Sequence, residues 1–290
     1  MKPPPFYYAA PATVSEALSL LSEHRESEPR VLAGGQSLVP LMNFRLAHPT
    51  HVIDLNKVTE LSFLRSDDGR LTIGAMTRQA VLERSAEVRL GAPLLAEAAG
   101  MIAHEPIRHR GTVGGSIAHA DPAAELPAVA LAMDAELVAA SGRGERVIPA
   151  TEFFLGPFTT ALEPDEVLTE VRLPAAPGTG YAFVEFSRTH GNFALVGVAA
   201  LLELDGDRIG RAALALCGAG PCALRVTEAE RLLAGASPDG DAIGEAAEVA
   251  AAGLTPSSDA HASGEFKLRL TRIYVQRALE TALARAQDRR

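Results

Sequence analysis

Two glycine pairs in this sequence have neighbours that could bind an anionic ligand. Gly34–Gly35 comes directly before Gln36–Ser37, and Gly114–Gly115 lies between Thr112 and Ser116. Because glycine has no side chain, backbone N–H groups can approach a ligand closely there, and successive N–H groups can form a concave anion site. The neighbouring hydroxyl and amide side chains could add hydrogen bonds. The pattern suits a pyrophosphate, but each pair alone is also typical of an ordinary tight turn, and the ligand stays open.

Short strands and helices in the first 175 residues are predicted to position these pairs. The spacing of Thr13 and Glu16 predicts a capped helix start. Residues Pro29–Ala33 should form a short buried strand that ends at the first glycine pair. Further predicted elements are the strand His51–Leu55, the paired strands Leu61–Leu64 and Arg70–Ile73, the helices Thr77–Ala86 and Pro93–Ala103, and the hairpin strands Glu136–Ala140 and Glu145–Ile148.

A change of sequence texture after residue 175 predicts a second block. The proline- and glycine-rich segment Pro174–Gly180 is the best candidate for a linker. After it, three apolar runs predict an antiparallel meander, and helices follow. The predicted strands are Tyr181–Arg188, Ala194–Leu204 and Ile209–Cys217, and the last predicted helix is Glu265–Ala286.

Composition narrows the possible classes of protein. The chain has 290 residues, which favours about two domains, and 47% of them are hydrophobic, which excludes disorder. A net charge of -9 opposes general binding to nucleic acid or anionic membranes. Two cysteines, Cys217 and Cys222, are too few for an iron–sulfur cluster held by this chain alone, and they are expected to be buried. The N-terminal residues do not resemble a signal peptide and no apolar run is long enough to span a membrane, so a cytoplasmic location is predicted.

Two further motifs have simpler structural interpretations. Residues Gly218–Ala223 match a dinucleotide fingerprint, but no second strand and acidic residue follow at the required distance, so a turn from a strand into a helix is favoured. His104 and His109 are five residues apart with Pro106 between them, whereas a zinc-binding helix needs a spacing of four. No metal site is predicted.

Motifs in a fixed order give the sequence a specific resemblance to a known family. Residues 31–40, which contain the first glycine pair, are followed by Arg45-Leu46 and by Val52–Leu55. Residues 73–77, 111–127 and 186–194 then match later motifs in order. Over nearly its whole length the chain resembles the FAD-binding medium subunits of the molybdenum hydroxylases, as in xanthine dehydrogenase and aerobic carbon monoxide dehydrogenase.

The resemblance implies an α+β architecture. Residues 1–176 would form a two-subdomain FAD-binding fold of the vanillyl-alcohol-oxidase / p-cresol methylhydroxylase type, with subdomains at about 1–56 and 57–176. Residues 177–290 would form a smaller C-terminal domain with a three-stranded antiparallel sheet and helices.

The resemblance also implies a set of FAD-binding residues. The loop expected to wrap the pyrophosphate contains Leu32, Ala33, Gly34, Gly35, Gln36, Ser37 and Leu38. The residues expected to complete its cradle are Thr112, Gly114, Gly115 and Ser116. The residues expected along the ribityl chain or beside the flavin ring are Ala118, His119, Asp121, Glu125 and Leu168. Asp121 and Glu125 could instead be charges favoured at a helix start.

Function and partners follow from the same resemblance. A molybdenum-cofactor large subunit would oxidise the substrate, a small subunit with [2Fe-2S] clusters would pass electrons to FAD in this chain, and a quinone, NAD or oxygen would accept them. No catalytic residue and no metal ligand is expected in this chain, and a heterohexamer is expected. Some relatives have a lysine where this chain has Val184, which argues against direct use of NAD.

Two rival functions stay open at this point. One is a free-standing FAD-dependent oxidoreductase with its own substrate pocket. The other is a nucleotide-binding interaction module without enzymatic activity.

Overall fold

Residues 2–174 and 178–288 are described by the computed structural model of the chain, and they are called here the N-terminal and C-terminal parts. The predicted linker Pro174–Gly180 lies partly outside the described residues, since residues 175–177 fall in the gap. The predicted domain boundary at 176–177 therefore stays a prediction.

A small parallel sheet opens the N-terminal part. Its strands are β1 (Tyr7–Ala9), β2 (Arg30–Leu32) and β3 (His51–Asp54), in the spatial order β1-β3-β2. Helix α1 (Val14–Glu23) connects the first two strands, and α2 (Leu38–Asn43) follows β2. The Thr13 hydroxyl accepts a hydrogen bond from the Glu16 N–H, which confirms the predicted helix start.

A five-stranded antiparallel sheet follows. Its strands are β4 (Leu64–Asp67), β5 (Arg70–Gly74), β6 (Glu136–Ser141), β7 (Gly144–Pro149) and β10 (Val167–Pro174), in the spatial order β4-β5-β10-β6-β7. A separate hairpin contains β8 (Phe154–Gly156) and β9 (Thr159–Thr160). The helices of this region are α3 (Gln79–Arg84), α4 (Ala86–Gly91), α5 (Pro93–Met101), α6 (Glu105–Arg108), α7 (Val113–His119), α8 (Glu125–Ala132) and α9 (Ala150–Phe153).

The C-terminal part is a four-stranded antiparallel sheet with helices. The strands are β11 (Gly180–Phe186), β12 (Val196–Asp205), β13 (Arg208–Cys217) and β14 (Leu224–Arg225), in that spatial order. The helices are α10 (Thr227–Leu233), α11 (Gly240–Ala252) and α12 (Gly264–Gln287). Within the described ranges, no helix has both the length and the hydrophobicity that a membrane-spanning segment requires.

Both faces of this C-terminal sheet are buried. One face packs against α5 and α8, and it belongs to the same core as the five-stranded sheet. The opposite face packs against α10 and α12, and α11 packs against these two helices. Because neither face meets water, residues 196–202 of β12 are all buried, and the strand reads as one apolar run. The N-terminal and C-terminal parts therefore share a hydrophobic core.

Polar contacts reinforce this junction. The Glu97 carboxylate of α5 accepts a hydrogen bond from the Phe183 N–H of β11 at 2.8 Å and forms an ion pair with Arg285 of α12 at 2.8 Å. The Gly218 N–H donates to the Pro122 carbonyl at 2.7 Å. This last bond connects the end of β13 to the turn between α7 and α8.

Three expectations about elements need correction. The C-terminal sheet has a fourth strand, because Gly218 adopts a φ of +77° and the chain returns as β14 beside β13 rather than entering a helix. The first strand of the early hairpin is Leu64–Asp67 and not Leu61–Leu64, since Thr59–Leu61 forms a 3₁₀ turn. The helix predicted from Thr77 begins at Gln79, because Arg78 has extended backbone angles.

Replacing Gly218 should destabilise the junction between the two parts. A Cβ atom there would lie 2.5 Å from the Leu195 carbonyl oxygen, and the positive φ already disfavours a β-branched residue. Gly235→Val is the matched control, because Gly235 has a φ of +80° and a Cβ added there would meet no atom within 4 Å.

We expect Gly235→Val to cost about 1–3 kcal/mol from backbone strain alone and Gly218→Val to cost about 1–3 kcal/mol more from the clash. Urea unfolding of the apoprotein measures both free energies. Equal losses would show that the close contact at Gly218 does not matter.

Candidate cofactor site

The two glycine pairs lie side by side in the structure. A Cβ on Gly34 would overlap the Arg110 carbonyl oxygen and lie 2.7 Å from the Gly111 Cα atom. A Cβ on Gly115 would lie 3.2 Å from the Cβ of Ala33. The loop after β2 and the loop before α7 therefore touch backbone to backbone, and only glycine allows this approach.

The loop after β2 presents a run of free backbone donors. Within the described part of the chain, the N–H groups of residues 34–38 donate no hydrogen bond. Gly35 has a φ of +75°, a left-handed conformation that lets successive N–H groups turn to one side. The Ser37 side chain makes no capping bond to α2. Half-buried free donors beside a closely approaching backbone fit the oxygens of a pyrophosphate.

The loop before α7 differs from this expectation, because its N–H groups already have partners. Val113 donates to the Thr77 carbonyl at 3.0 Å, and Gly114 donates to the Ala75 carbonyl at 2.8 Å. The Gly115 N–H donates to the Thr112 hydroxyl oxygen at 3.0 Å. The second glycine pair therefore provides close packing and a surface without side chains, and free N–H donors come from the first loop.

A polar network that sequence reasoning missed joins the two loops. The Asn56 side-chain amide donates to the Ala33 carbonyl at 2.8 Å, and the Arg78 guanidinium donates to the Asn56 amide oxygen at 2.6 Å. The same guanidinium donates to the Arg110 carbonyl, and the Asp54 carboxylate accepts from the Asn56 N–H at 2.9 Å. The one available sequence signal is that Asp54 and Asn56 stand at the end of a strand.

Charge around the first loop is locally positive, although the whole chain is acidic. Burial lowers the pKa of Arg78, and repulsion from the nearby Arg110 lowers it further. Partial burial works to raise the pKa of Asp54, but hydrogen bonds from Tyr8 and Asn56 outweigh it and lower that pKa. Two arginines facing one carboxylate leave a positive charge next to the free donors, which suits an anionic ligand.

Helix α7 leads away from the glycine contact towards the other predicted site residues. His119 lies four residues beyond Gly115, about 6 Å along the helix axis. Its ring centroid is 5.1 Å from that of Phe158, and burial lowers the pKa of His119 despite the opposing effect of Asp121. The Asp121 carboxylate accepts a hydrogen bond from the Ala123 N–H at 2.9 Å and so shapes the turn into α8.

Glu125 is the first residue of α8 and is only 5% exposed. Burial raises the pKa of Glu125 to about 8, assisted by the negative charges of Glu185 and Asp121. The side chain is therefore mainly neutral at pH 7. The other two predicted positions differ in burial: Ala118 is half-buried on α7, and Leu168 is a core residue of β10 that is 4% exposed.

Several other sequence candidates lie elsewhere. The Gly218–Ala223 segment leads into a strand, so it lacks the strand–helix–strand context of a dinucleotide site. The His109 side chain faces Glu105 at 3.4 Å on the short helix α6. Both cysteines are buried, as predicted, and burial raises the pKa of each thiol. Val184 lies on the face of the C-terminal sheet that α10 and α12 cover.

Comparison with protein families assigns both parts of the chain. Residues 4–176 match the family model described as the FAD binding domain in molybdopterin dehydrogenase. Residues 181–282 match the model described as the CO dehydrogenase flavoprotein C-terminal domain.

Known proteins resemble the chain over its whole length. It is 43% identical to the 6-hydroxypseudooxynicotine dehydrogenase complex subunit alpha of Paenarthrobacter nicotinovorans, covering 99% of this chain and 97% of that protein. It is 40% identical to the carbon monoxide dehydrogenase medium chain of Hydrogenophaga pseudoflava, covering 98% and 99%.

Solved structures agree with this relationship. A carbon monoxide dehydrogenase structure from Hydrogenophaga pseudoflava matches with a TM-score of 0.96 and 41% identity, covering 98% of this chain and 99% of that one. Quinoline 2-oxidoreductase from Pseudomonas putida 86 matches with a TM-score of 0.94 and 37% identity, covering 99% of both chains. These matches confirm the predicted two-domain FAD-binding fold, and FAD as the cofactor. The chain thus belongs to the FAD-binding medium subunits of the molybdenum hydroxylases, as an oxidoreductase subunit.

Proposed function

We propose that this chain is the electron-transferring subunit of a molybdenum hydroxylase complex. In this proposal it receives electrons from the [2Fe-2S] clusters of a small partner subunit and delivers them to an external acceptor such as a quinone, NAD or oxygen. A large subunit with the molybdenum cofactor would oxidise the substrate and determine which substrate is used. Two copies of each subunit would form a heterohexamer.

The names of full-length relatives support this role. One relative is a subunit of a dehydrogenase complex, and others are medium chains of carbon monoxide dehydrogenases. One matching structure is a carbon monoxide dehydrogenase that lacks the Mo-pyranopterin moiety of the molybdenum cofactor, and another is a Cu,Mo-CO dehydrogenase. Both structural matches cover 98% of this chain, so the likeness extends to the C-terminal part as well as to the FAD-binding part.

The run of unbonded N–H groups at residues 34–38 is the observation that carries the FAD site. In the proposal these donors hold the pyrophosphate, with Ala33 and Leu32 at the start of the loop. Arg78 and Arg110 supply positive charge beside it, and the Ser116 hydroxyl adds a donor from α7.

The remaining predicted residues would lie along the rest of the cofactor. FAD, when bound, supplies the electron-accepting chemistry, and the chain binds and orients it. Gly114 and Gly115 permit the close approach, and Thr112 fixes the first turn of α7. The residues proposed to line the ribityl chain and flavin ring are Ala118, His119, Asp121, Glu125 and Leu168.

Replacing Gly35 should weaken FAD binding, because a β-branched residue disfavours the positive φ that aims the free N–H groups. Gly69→Val is the matched control: Gly69 has a φ of +72° in the turn between β4 and β5, and a Cβ added there would meet no atom within 4 Å. We expect FAD dissociation constants at least about tenfold higher for Gly35→Val, or about 1.4 kcal/mol, and unchanged for Gly69→Val. Flavin fluorescence titration of the refolded apoproteins measures this.

Retention of FAD after desalting, near one per chain, is expected for Gly69→Val and the unsubstituted protein. If Gly35→Val retains FAD equally well, the first loop does not bind the pyrophosphate.

Removing Arg78 should also weaken FAD binding, because its guanidinium connects the two loops through Asn56 and the Arg110 carbonyl. Arg70→Ala is the control, since Arg70 forms a surface ion pair with Glu136 in which both side chains are about half exposed. Such pairs contribute about 0–1 kcal/mol. We expect Arg78→Ala to raise the FAD dissociation constant about tenfold, and Arg70→Ala to leave it unchanged.

Electron exchange with an iron–sulfur partner tests the finer function. The FAD-loaded chain, photoreduced without oxygen, is mixed with the oxidised [2Fe-2S] small subunit of the proposed complex. We expect flavin absorption to recover at the same rate as iron–sulfur absorption bleaches, because electrons distribute between the two cofactors. A Gly35→Val chain without FAD is the control. Bound FAD that never exchanges electrons with the partner would favour a free-standing flavoenzyme.

A further inference from the structure

An acidic side chain from the C-terminal part faces the N-terminal part across their shared core. In the antiparallel pairing, Glu185 of β11 lies opposite Gly197 of β12, and Gly197 lies opposite Cys217 of β13. Directly paired residues point to the same face of a sheet, as do residues two apart on one strand. Phe183 and Cys217 belong to the core shared with α5 and α8, so Glu185 points to that side.

The surroundings of Glu185 offer it no compensating charge. A Cβ at Gly197 would lie 2.5 Å from the Cys217 sulfur and 3.6 Å from the Glu185 Cβ, so glycine leaves the carboxyl beside the thiol. The Oε2 atom of Glu185 is fully buried and has no hydrogen-bond partner in the described residues. The residue as a whole is only half-buried, so another side of it stays open.

Glu125 approaches the same place from α8. Helix α8 packs against β12 and β13, and the bond from Gly218 to Pro122 fixes the turn before it. Among the described residues, the titratable groups that interact with Glu185 are Glu125 and Cys217, and neither is a cation. Two carboxyl groups from different parts of the chain thus meet where the turn after α7 ends.

An unpaired buried carboxylate oxygen is costly, and a neighbouring carboxyl group makes ionisation less favourable still. Burial raises the pKa of Glu185 to about 7 and that of Glu125 to about 8. At neutral pH a large share of Glu185 is therefore the neutral acid. A neutral carboxylic acid carries an O–H that can donate a hydrogen bond, which a carboxylate cannot do.

We propose that Glu185 is a cofactor-contacting residue that acts as a neutral acid, donating a hydrogen bond from the C-terminal part to the flavin end of FAD. This rests on the proposed function above, in which FAD extends from the glycine loops along α7 towards Glu125. The flavin ring carries carbonyl oxygens and ring nitrogens that accept hydrogen bonds. Through Glu185 the C-terminal part would hold the end of FAD that the first loop cannot reach.

A pH dependence of FAD binding follows, with a definite sign. FAD favours the protonated acid, so its binding raises the pKa of Glu185 further. Affinity is then full below the pKa of the free protein, about 7, and falls by up to about tenfold per pH unit as the pH rises above it. Glu125 contributes in the same direction near pH 8. A lowered pKa places His119 below this window, and a raised pKa places Cys217 above it.

The test measures FAD dissociation constants of the refolded full chain by calorimetry or fluorescence. Measurements at half-unit steps from about pH 6.5 to about pH 8.5 cover the raised pKa values of Glu185 and Glu125. Glu185→Gln keeps a hydrogen-bond donor and cannot ionise, so we expect unchanged affinity at the acidic end and a smaller loss at the basic end. Glu185→Ala should bind FAD more weakly already at the acidic end. Glu145→Gln, an exposed position on β7, is the matched control and should follow the unsubstituted protein.

Combining Glu185→Gln with Glu125→Gln should flatten the profile completely. An identical profile for Glu185→Gln and the unsubstituted protein would overturn the proposal, as would an affinity that rises with pH. Neither variant should unfold the chain, since each removes a buried ionisable group that lacks a cationic partner. A chain that binds no FAD even at the acidic end would instead contradict the proposed function.

Discussion

The contact between two stretches of bare backbone is the constraint on which the rest of the site depends. Gly34 lies so close to the Arg110 carbonyl and the Gly111 Cα that no side chain fits between them. This contact holds the first loop against the base of α7 and leaves the N–H groups of residues 34–38 free. The Asn56 side chain donates a hydrogen bond to the Ala33 carbonyl, and the Arg78 side chain donates one to the Arg110 carbonyl on the other side of the contact. Free donors and satisfied acceptors together suit an anionic ligand.

The burial of both faces of the C-terminal sheet determines the structure around Asp121, Glu125 and Glu185. It brings β12 and β13 against α8, so that packing and the hydrogen bond from Gly218 to Pro122 both fix the turn that carries Asp121. It also buries Glu125 almost completely and Glu185 in part, and this burial raises the pKa of both carboxyl groups above that of surface carboxyl groups. Arg78 and Arg110 place positive charge beside the first glycine loop, whereas the raised pKa values of Glu125 and Glu185 favour their neutral acids. In the proposed arrangement, these two electrostatic environments lie at the two ends of one cofactor.

Local sequence patterns were enough to predict most elements, but long-range contacts decided the details. The glycine pairs, the capped helix at Thr13 and the three long C-terminal strands could be read directly, because glycine, capping and apolar runs have short-range signatures. Which N–H groups remain free could not be read, since the partner of Gly114 is Ala75, far earlier in the chain. Asn56 and Arg78 carry no motif at all. Glu185 lies two residues after Phe183 on the same strand, so both side chains point to the same face of the sheet. That this face is buried could be inferred only once the sheet was known to be covered on both sides.

The sequence divides the chain into two parts, but because these parts share a core we expect them to unfold together. Phe183, Ala199 and Ala215 would face water if the C-terminal residues were produced alone, and α8 would lose its packing surface if they were removed. A protease cut between the two parts would therefore leave fragments that stay associated. For the same reason, exchanging one part for that of a distant relative requires exchanging the matching face of the other. The packing at the junction therefore constrains which residues each of the two parts can change.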